Sequence, residues 1–295
     1  MARVAVVGVG AIGGVLAGFL EIAGHEITLC TRRPLPALTV QTPKGPVSVK
    51  AKNLTDPALA EPVDWVLVAT KTYDAKGAAE WIRGLSQGKA PVAVVQNGVE
   101  HRERFAPYVD PELIVPVIID CPAERQGDGS VVEQRGPARM QVEDGLPGKE
   151  FARLFAGTDA IVELTDDFVS PAWRKLCINS VGAISALLMK PAGVLRDEAL
   201  AKVALEIVAE CASVGRAEGA HLDENIGQQV LDVYRAHPPD SINSLLADRI
   251  AGRPMEIEAR SGVIVRKGEQ HGINTPLNRM VVALLLSIRG SSIPS

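Results

Sequence analysis

Arg3-Val4-Ala5-Val6-Val7-Gly8-Val9-Gly10-Ala11-Ile12-Gly13 sits at the head of the chain, and its reading decides the fold. Residues 3–7 are a short β-branched run without alternation, the pattern of a strand buried on both faces of a parallel sheet. Three glycines follow in G-x-G-x-x-G spacing. Apolar periodicity over residues 12–23, closed by Gly24, predicts a helix. Glu26 to Cys30 reads as the next strand. Strand, glycine turn, helix and strand within about thirty residues make one βαβ unit.

In that context the glycines have separate uses. Gly8 permits the tight turn, Gly10 lets backbone approach a pyrophosphate, and Gly13 lets the helix close on the strand. The helix N-terminus offers free N–H groups and a positive dipole end to phosphates. Gly8, Val9, Gly10, Ala11, Ile12 and Gly13 are therefore the expected dinucleotide cradle; the alternative is a glycine-rich turn that binds nothing. An NAD site usually ends its second strand with Asp or Glu on the ribose 2′-hydroxyl. Here Cys30-Thr31-Arg32-Arg33 stands there, without an acid. A guanidinium at Arg32 suits a 2′-phosphate, so NADP(H) is the expected cofactor. The plain alternative is a solvated arginine pair. Lys71 and Asn97 each follow a buried strand, where a doubly wound sheet opens its ligand crevice.

The alternation continues with strands over residues 63–69, 92–96, 114–119 and 161–164, and helices over 75–85 and 151–155. Residues 131–133 and 140–142 look like a hairpin around Gly136-Pro137. After Asp166 strand-like runs stop. Helices are expected over residues 171–189, 197–218, 223–235, 244–251, 256–271 and 277–287, and residues 291–295 read as a frayed tail. The expected fold is α/β: a Rossmann-type doubly wound sheet in residues 1–166 and an all-helical substrate and catalytic domain in 167–295.

Composition narrows the function. The chain has 295 residues and a net charge of only −4, with no basic stripe for a phosphate backbone, so nucleic acid is not an expected partner. The four cysteines, Cys30, Cys121, Cys177 and Cys211, suit neither a zinc site nor a disulfide framework. That usage points to a reducing, cytoplasmic setting without a metal. Glycines interrupt the apolar first twenty residues, which argues against a signal peptide, and no run reaches membrane-spanning length.

Hydride transfer to a carbonyl needs a proton donor and a hold on the substrate. Lys175 and Asn179 are four apart and share one helix face, ahead of an apolar stretch. A lysine facing a cleft there would lose hydration and protonate less readily; a snorkelling surface lysine is the equal alternative. Ser244 is a candidate N-cap. Glu256 reads as an acid at the start of a helix.

Taken together, the glycine motif, Arg32, Ala69-Thr70-Lys71, Gln96-Asn97-Gly98, Trp173-Arg174-Lys175-Leu176 with Asn179, Ser244 and Glu256-Ile257 resemble the ketopantoate reductase family from one end to the other. The resemblance implies NADPH-dependent reduction of 2-dehydropantoate to (R)-pantoate. It implies that Lys175 donates the proton and that Asn179 and Ser244 bind substrate. It places Glu256 beside the nicotinamide, Arg32 and Lys71 on the adenosine phosphate side, and Asn97 on both cofactor and substrate, with two domains closing over the site. Two positions depart from the family pattern: Ala183 and Ala192 stand where substrate-binding asparagines usually occur. A paralogue reducing a different small 2-oxo acid, or an inactive NADP-binding sensor, remains open, and so does a homodimer as the assembly.

Overall fold

The computed structural model describes residues 1–288, and the tail expected over residues 291–295 lies outside them. Two compact units emerge. The first comprises residues 1–96 and 101–168; the second comprises residues 97–100 and the chain from Val169 onward.

The first unit runs β1 (Arg3–Val7), α1 (Ala11–Ile22), β2 (Glu26–Cys30), β3 (Thr39–Thr42), β4 (Gly45–Ser48), β5 (Ala51–Leu54), β6 (Trp65–Val68), α2 (Ala75–Ser86), β7 (Val92–Val94), α3 (His101–Phe105), β8 (Ile114–Asp120), β9 (Ala123–Gln126), β10 (Val131–Gln134), β11 (Arg139–Glu143), α4 (Leu146–Arg153) and β12 (Ile161–Thr165). The main sheet is ordered β12-β11-β8-β7-β6-β1-β2-β5. From β5 to β8 every pairing is parallel; β11 then runs antiparallel to β8, and β12 parallel to β11. The chain steps outward from β1 to β2 and β5, then returns to β6 on the other side of β1. The switch point between β1 and β6 is where such sheets hold ligands.

β1 shows why its run lacks alternation. Val4 and Val6 enter the core beneath α1 and α4, while Ala5 and Val7 enter the core beneath α2 and α3. Both faces are covered, so every position is apolar. The fold is α/β with an N-terminal mixed sheet and a C-terminal helical region.

The expected hairpin over residues 131–142 does not form. β10 joins a separate sheet, ordered β4-β3-β10-β9, whereas β11 pairs with β8 in the main sheet. The turn at Gly136-Pro137 passes the chain from one sheet to the other. β3, β4, β5 and β9 have no counterpart in the sequence reading, and α4 begins five residues earlier than expected.

The small sheet lies across α1. A Cβ at Gly14 would come within 2.6 Å of Val132 Cγ2, and one at Gly18 within 3.0 Å of Val40 Cγ2. The two glycines are four apart on one helix face, so they form the strip on which β3 and β10 rest.

The second unit is helical: α5 (Val169–Leu188), α6 (Glu198–Ala217), α7 (Ile226–Ala236), α8 (Ser244–Ile250), α9 (Val263–His271) and α10 (Pro276–Ile288). Its core gathers Trp173, Leu176, Val181 and Ile184 of α5 against Ile207, Val208 and Cys211 of α6. Cys177 Sγ lies 3.5 Å from Cys211 Sγ as a pair of free buried thiols. Burial pushes the Cys211 thiol well above its ordinary range, and the Cys30 thiol up to about 12. Thiols that stay protonated are poor nucleophiles. Among the described residues no helix is long and apolar enough to cross a membrane.

Gly14→Ala should lower the thermal midpoint. Overpacking costs about 1–3 kcal/mol, more than the roughly 1 kcal/mol that alanine gains over glycine in a helix. Adding Val132→Ala should return more stability than the two single changes sum to. A Gly14→Ala protein as stable as wild type in a melt would refute this packing account.

Candidate active site

The turn from β1 to α1 is fixed by contacts no side chain could replace. Gly8 has φ +91°, and a Cβ there would fall 2.8 Å from Thr70 N. A Cβ on Gly13 would fall 2.0 Å from Gly8 O. Gly10 differs, for a Cβ there would meet nothing within 4 Å. The backbone at Gly10 therefore borders open space, and no side chain caps α1. Uncapped N–H groups beside open space fit a pyrophosphate. Gly8, Val9 and Gly10 form this turn, and Ala11, Ile12 and Gly13 open α1.

Arg32 is exposed just past β2. Its loop is pinned by Asn53 of β5, whose Nδ2 donates to Leu29 O at 3.0 Å and to Thr31 Oγ1 at 2.8 Å, while its Oδ1 accepts from Leu35 N at 2.8 Å. Lys71, half-buried, begins the single turn Thr72–Asp74 after β6. The preceding Thr70 is latched by buried Gln96, whose Nε2 donates to Thr70 O at 3.0 Å and Oγ1 at 2.9 Å. Arg104 in turn donates to Gln96 Oε1 at 3.0 Å. Asn53, which the sequence reading missed, and Gln96, which it quoted in a motif without a role, hold these loops; a polar side chain in or after a strand carries no signal of its target.

In the second unit, Asn97 Nδ2 donates to Glu256 Oε2 at 2.9 Å. The two residues are 159 positions apart, and Glu256 is only 4% exposed. Gly98 has φ +93°, so the turn that sets Asn97 requires glycine. Val99 packs on the helical core, and Arg266 Nη2 meets Glu100 Oε2 at 2.8 Å. Lys175 and Asn179 lie half-buried on α5, one turn apart.

Two local expectations need correction. Ser244 is not the N-cap: Asn243 caps α8, its Oδ1 accepting from Leu245 N and Leu246 N at 3.0 Å each. Ser244 is instead the exposed first helical residue, and its Oγ accepts from Arg260 Nη2 at 2.6 Å. Glu256 does not open a helix either. It precedes a π-helical turn, Glu258–Gly262, that leads into α9. Such turns recur at functional sites, and a dipole-answering role does not explain a buried carboxylate outside the helix. Among the described residues no cluster of His, Cys, Asp and Glu could hold a metal.

The model of the family described as ketopantoate reductase PanE/ApbA matches residues 4–146, and that of its C-terminal part matches residues 167–289. The chain belongs to this family. The 2-dehydropantoate 2-reductase of Caulobacter vibrioides is 47% identical over 97% of this chain and 98% of the relative. That of Mycobacterium tuberculosis is 37% identical over 96% of each. Among solved structures, a PanE/ApbA family ketopantoate reductase from Ralstonia eutropha JMP134 superposes with a TM-score of 0.89 at 30% identity, covering 97% of this chain and 98% of that one.

Asn243→Ala removes the cap of α8 and should cost about 0.5–2 kcal/mol. Amide exchange at Leu245 and Leu246 should accelerate, because both N–H groups lose their acceptor. Unchanged exchange at these two amides would show that the cap does not hold Ser244 in place.

Proposed function

We propose that this protein is an oxidoreductase that reduces 2-dehydropantoate to (R)-pantoate with NADPH, a step toward pantothenate and coenzyme A. The observation that carries the reading is the Asn97–Glu256 hydrogen bond. It holds a buried carboxylate in the same compact unit as the half-buried pair Lys175 and Asn179. The likeness to curated 2-dehydropantoate 2-reductases along nearly the whole chain supports it.

On this reading residues 1–166 form the coenzyme domain and the helical residues 167–295 the substrate and catalytic domain. The turn Gly8–Gly13 takes the pyrophosphate, Lys71 takes the phosphate side of the adenosine, and exposed Arg32 grips the 2′-phosphate, which selects NADP(H) over NAD(H). When bound, the nicotinamide supplies a hydride to the keto carbon. Lys175 donates a proton to the carbonyl oxygen, so C=O becomes CH–OH and the lysine is left neutral until solvent reprotonates it. Asn179 and Ser244 hold the acid in register. Asn97 donates an amide hydrogen to Glu256, fixing the carboxylate near the reacting groups while its own oxygen stays available for the coenzyme or the substrate. A cytoplasmic enzyme, with a homodimer as one option for its assembly, fits this role.

NADPH oxidation should depend on added 2-dehydropantoate, followed at 340 nm, and Lys175→Ala should lower kcat by about 10²–10⁴-fold. NADPH that binds without turnover on any 2-oxo acid would sink the reading and leave a binding protein. Separately, Arg32→Asp should weaken NADPH much more than NADH in a fluorescence titration. Equal losses would mean that Arg32 does not read the 2′-phosphate.

A further inference from the structure

Arg260 is the group that the reaction above leaves unused. It lies within the π-helical turn Glu258–Gly262 and is only 4% exposed. Nη2 donates to Ser244 Oγ at 2.6 Å, and Nε is buried without a hydrogen-bond partner. Among the described residues no carboxylate pairs with it: Glu258, two positions away, is taken by Arg266 at 2.7 Å. A guanidinium carries five donors and cannot shed its charge. Buried without an anion it is costly, and an incoming anion would offset that cost.

The surroundings say which way the charge is directed. Tyr234 donates its hydroxyl to Ile178 O on α5 at 3.0 Å. Burial pushes the Tyr234 phenol up to about 12, and the Arg260 charge works against that rise. Ile178 immediately precedes Asn179. A Cβ at Gly182, one turn further along α5, would lie 3.2 Å from Tyr234 Oη and 3.2 Å from Asn243 Cγ. Asn243 Nδ2 donates to Gly182 O at 3.2 Å and so ties α5 to the start of α8, where Arg260 Nη2 reaches the hydroxyl of Ser244. Ala183 and Ala192 are buried and offer no side-chain donor. Arg260 supplies a strong one, with a fork geometry matched to a carboxylate.

We propose that Arg260, together with Ser244, is the seat for the carboxylate of the 2-oxo acid, and that it sets the preference for an acid over an uncharged carbonyl compound. The proposal rests on the reductase reading given above. The π-turn is what makes the seat: it turns Arg260 inward to Ser244, leaving Glu258 outward for Arg266.

The test compares 2-dehydropantoate with its methyl ester, in wild type and in Arg260→Met. Wild type should prefer the acid. Arg260→Met should raise KM for the acid by roughly 10- to 150-fold, the range for a hydrogen bond to a charged group, with kcat/KM for the ester and the affinity for NADPH nearly unchanged. A loss shared equally by acid and ester would assign Arg260 a structural role and overturn the proposal, and so would an unchanged KM for the acid. If Arg260→Met does not fold, Arg260→Lys carries the same comparison, since it keeps the charge but loses the fork. Wild type inactive on every 2-oxo acid would instead refute the reductase reading itself, visibly before any variant is made, and this seat with it.

Discussion

The approach of Gly13 to the carbonyl of Gly8 leaves no room for even a methyl group, and the first unit is organised around that contact. It presses the start of α1 onto the end of β1, so the uncapped N–H groups of the helix open beside Gly10. Thr70, after β6, crowds Gly8 from the other side of the switch point. Gln96 then holds Thr70, and Arg104 holds Gln96. A close backbone contact at one turn is thereby relayed through side chains to three strand ends. Asn53 does comparable work at the β2 end, where it secures the loop carrying Arg32. Backbone donors at a helix N-terminus need such bracing, because they have no side-chain freedom with which to adjust.

The second unit solves a different problem, that of keeping polar and charged groups in an apolar helical core. Glu256 is held by an amide from residues 97–100, a short segment that belongs to the helical unit. Arg260 is held by one hydroxyl. The two groups are four residues apart, on either side of the entry into a π-helical turn. Neither is explained by stability, since apolar residues of similar size would bury at lower cost.

Much of this was legible in the residues. β1, α1 and β2 announced themselves because an unalternating apolar run, three spaced glycines and a helical period each have one good structural solution. The helices after Asp166 followed from apolar periodicity, with boundaries a few residues out. β3, β4, β5 and β9 were not legible: each has four residues, is polar and partly exposed, and pairs in part with strands far along the chain. The false hairpin at Gly136-Pro137 had the right turn chemistry, yet its two strands serve different sheets. At α8, Asn243 and Ser244 are both good caps, and only the backbone shows which one is used. Arg260 escaped notice because an arginine four residues after a glutamate has the pattern of a solvated ion pair. Its burial follows from the π-turn, which leaves no local mark.

The small sheet on α1 also bears on how the chain is made. β3 pairs with β10, far along the chain. At about 5–20 residues per second, a ribosome needs roughly 4–17 seconds to travel from the end of β4 to the end of β10. Throughout that interval the Gly14 end of the α1 strip and the edge of β3 lack the strand that will cover them. The nascent chain therefore exposes an adhesive surface during synthesis that the finished protein never shows.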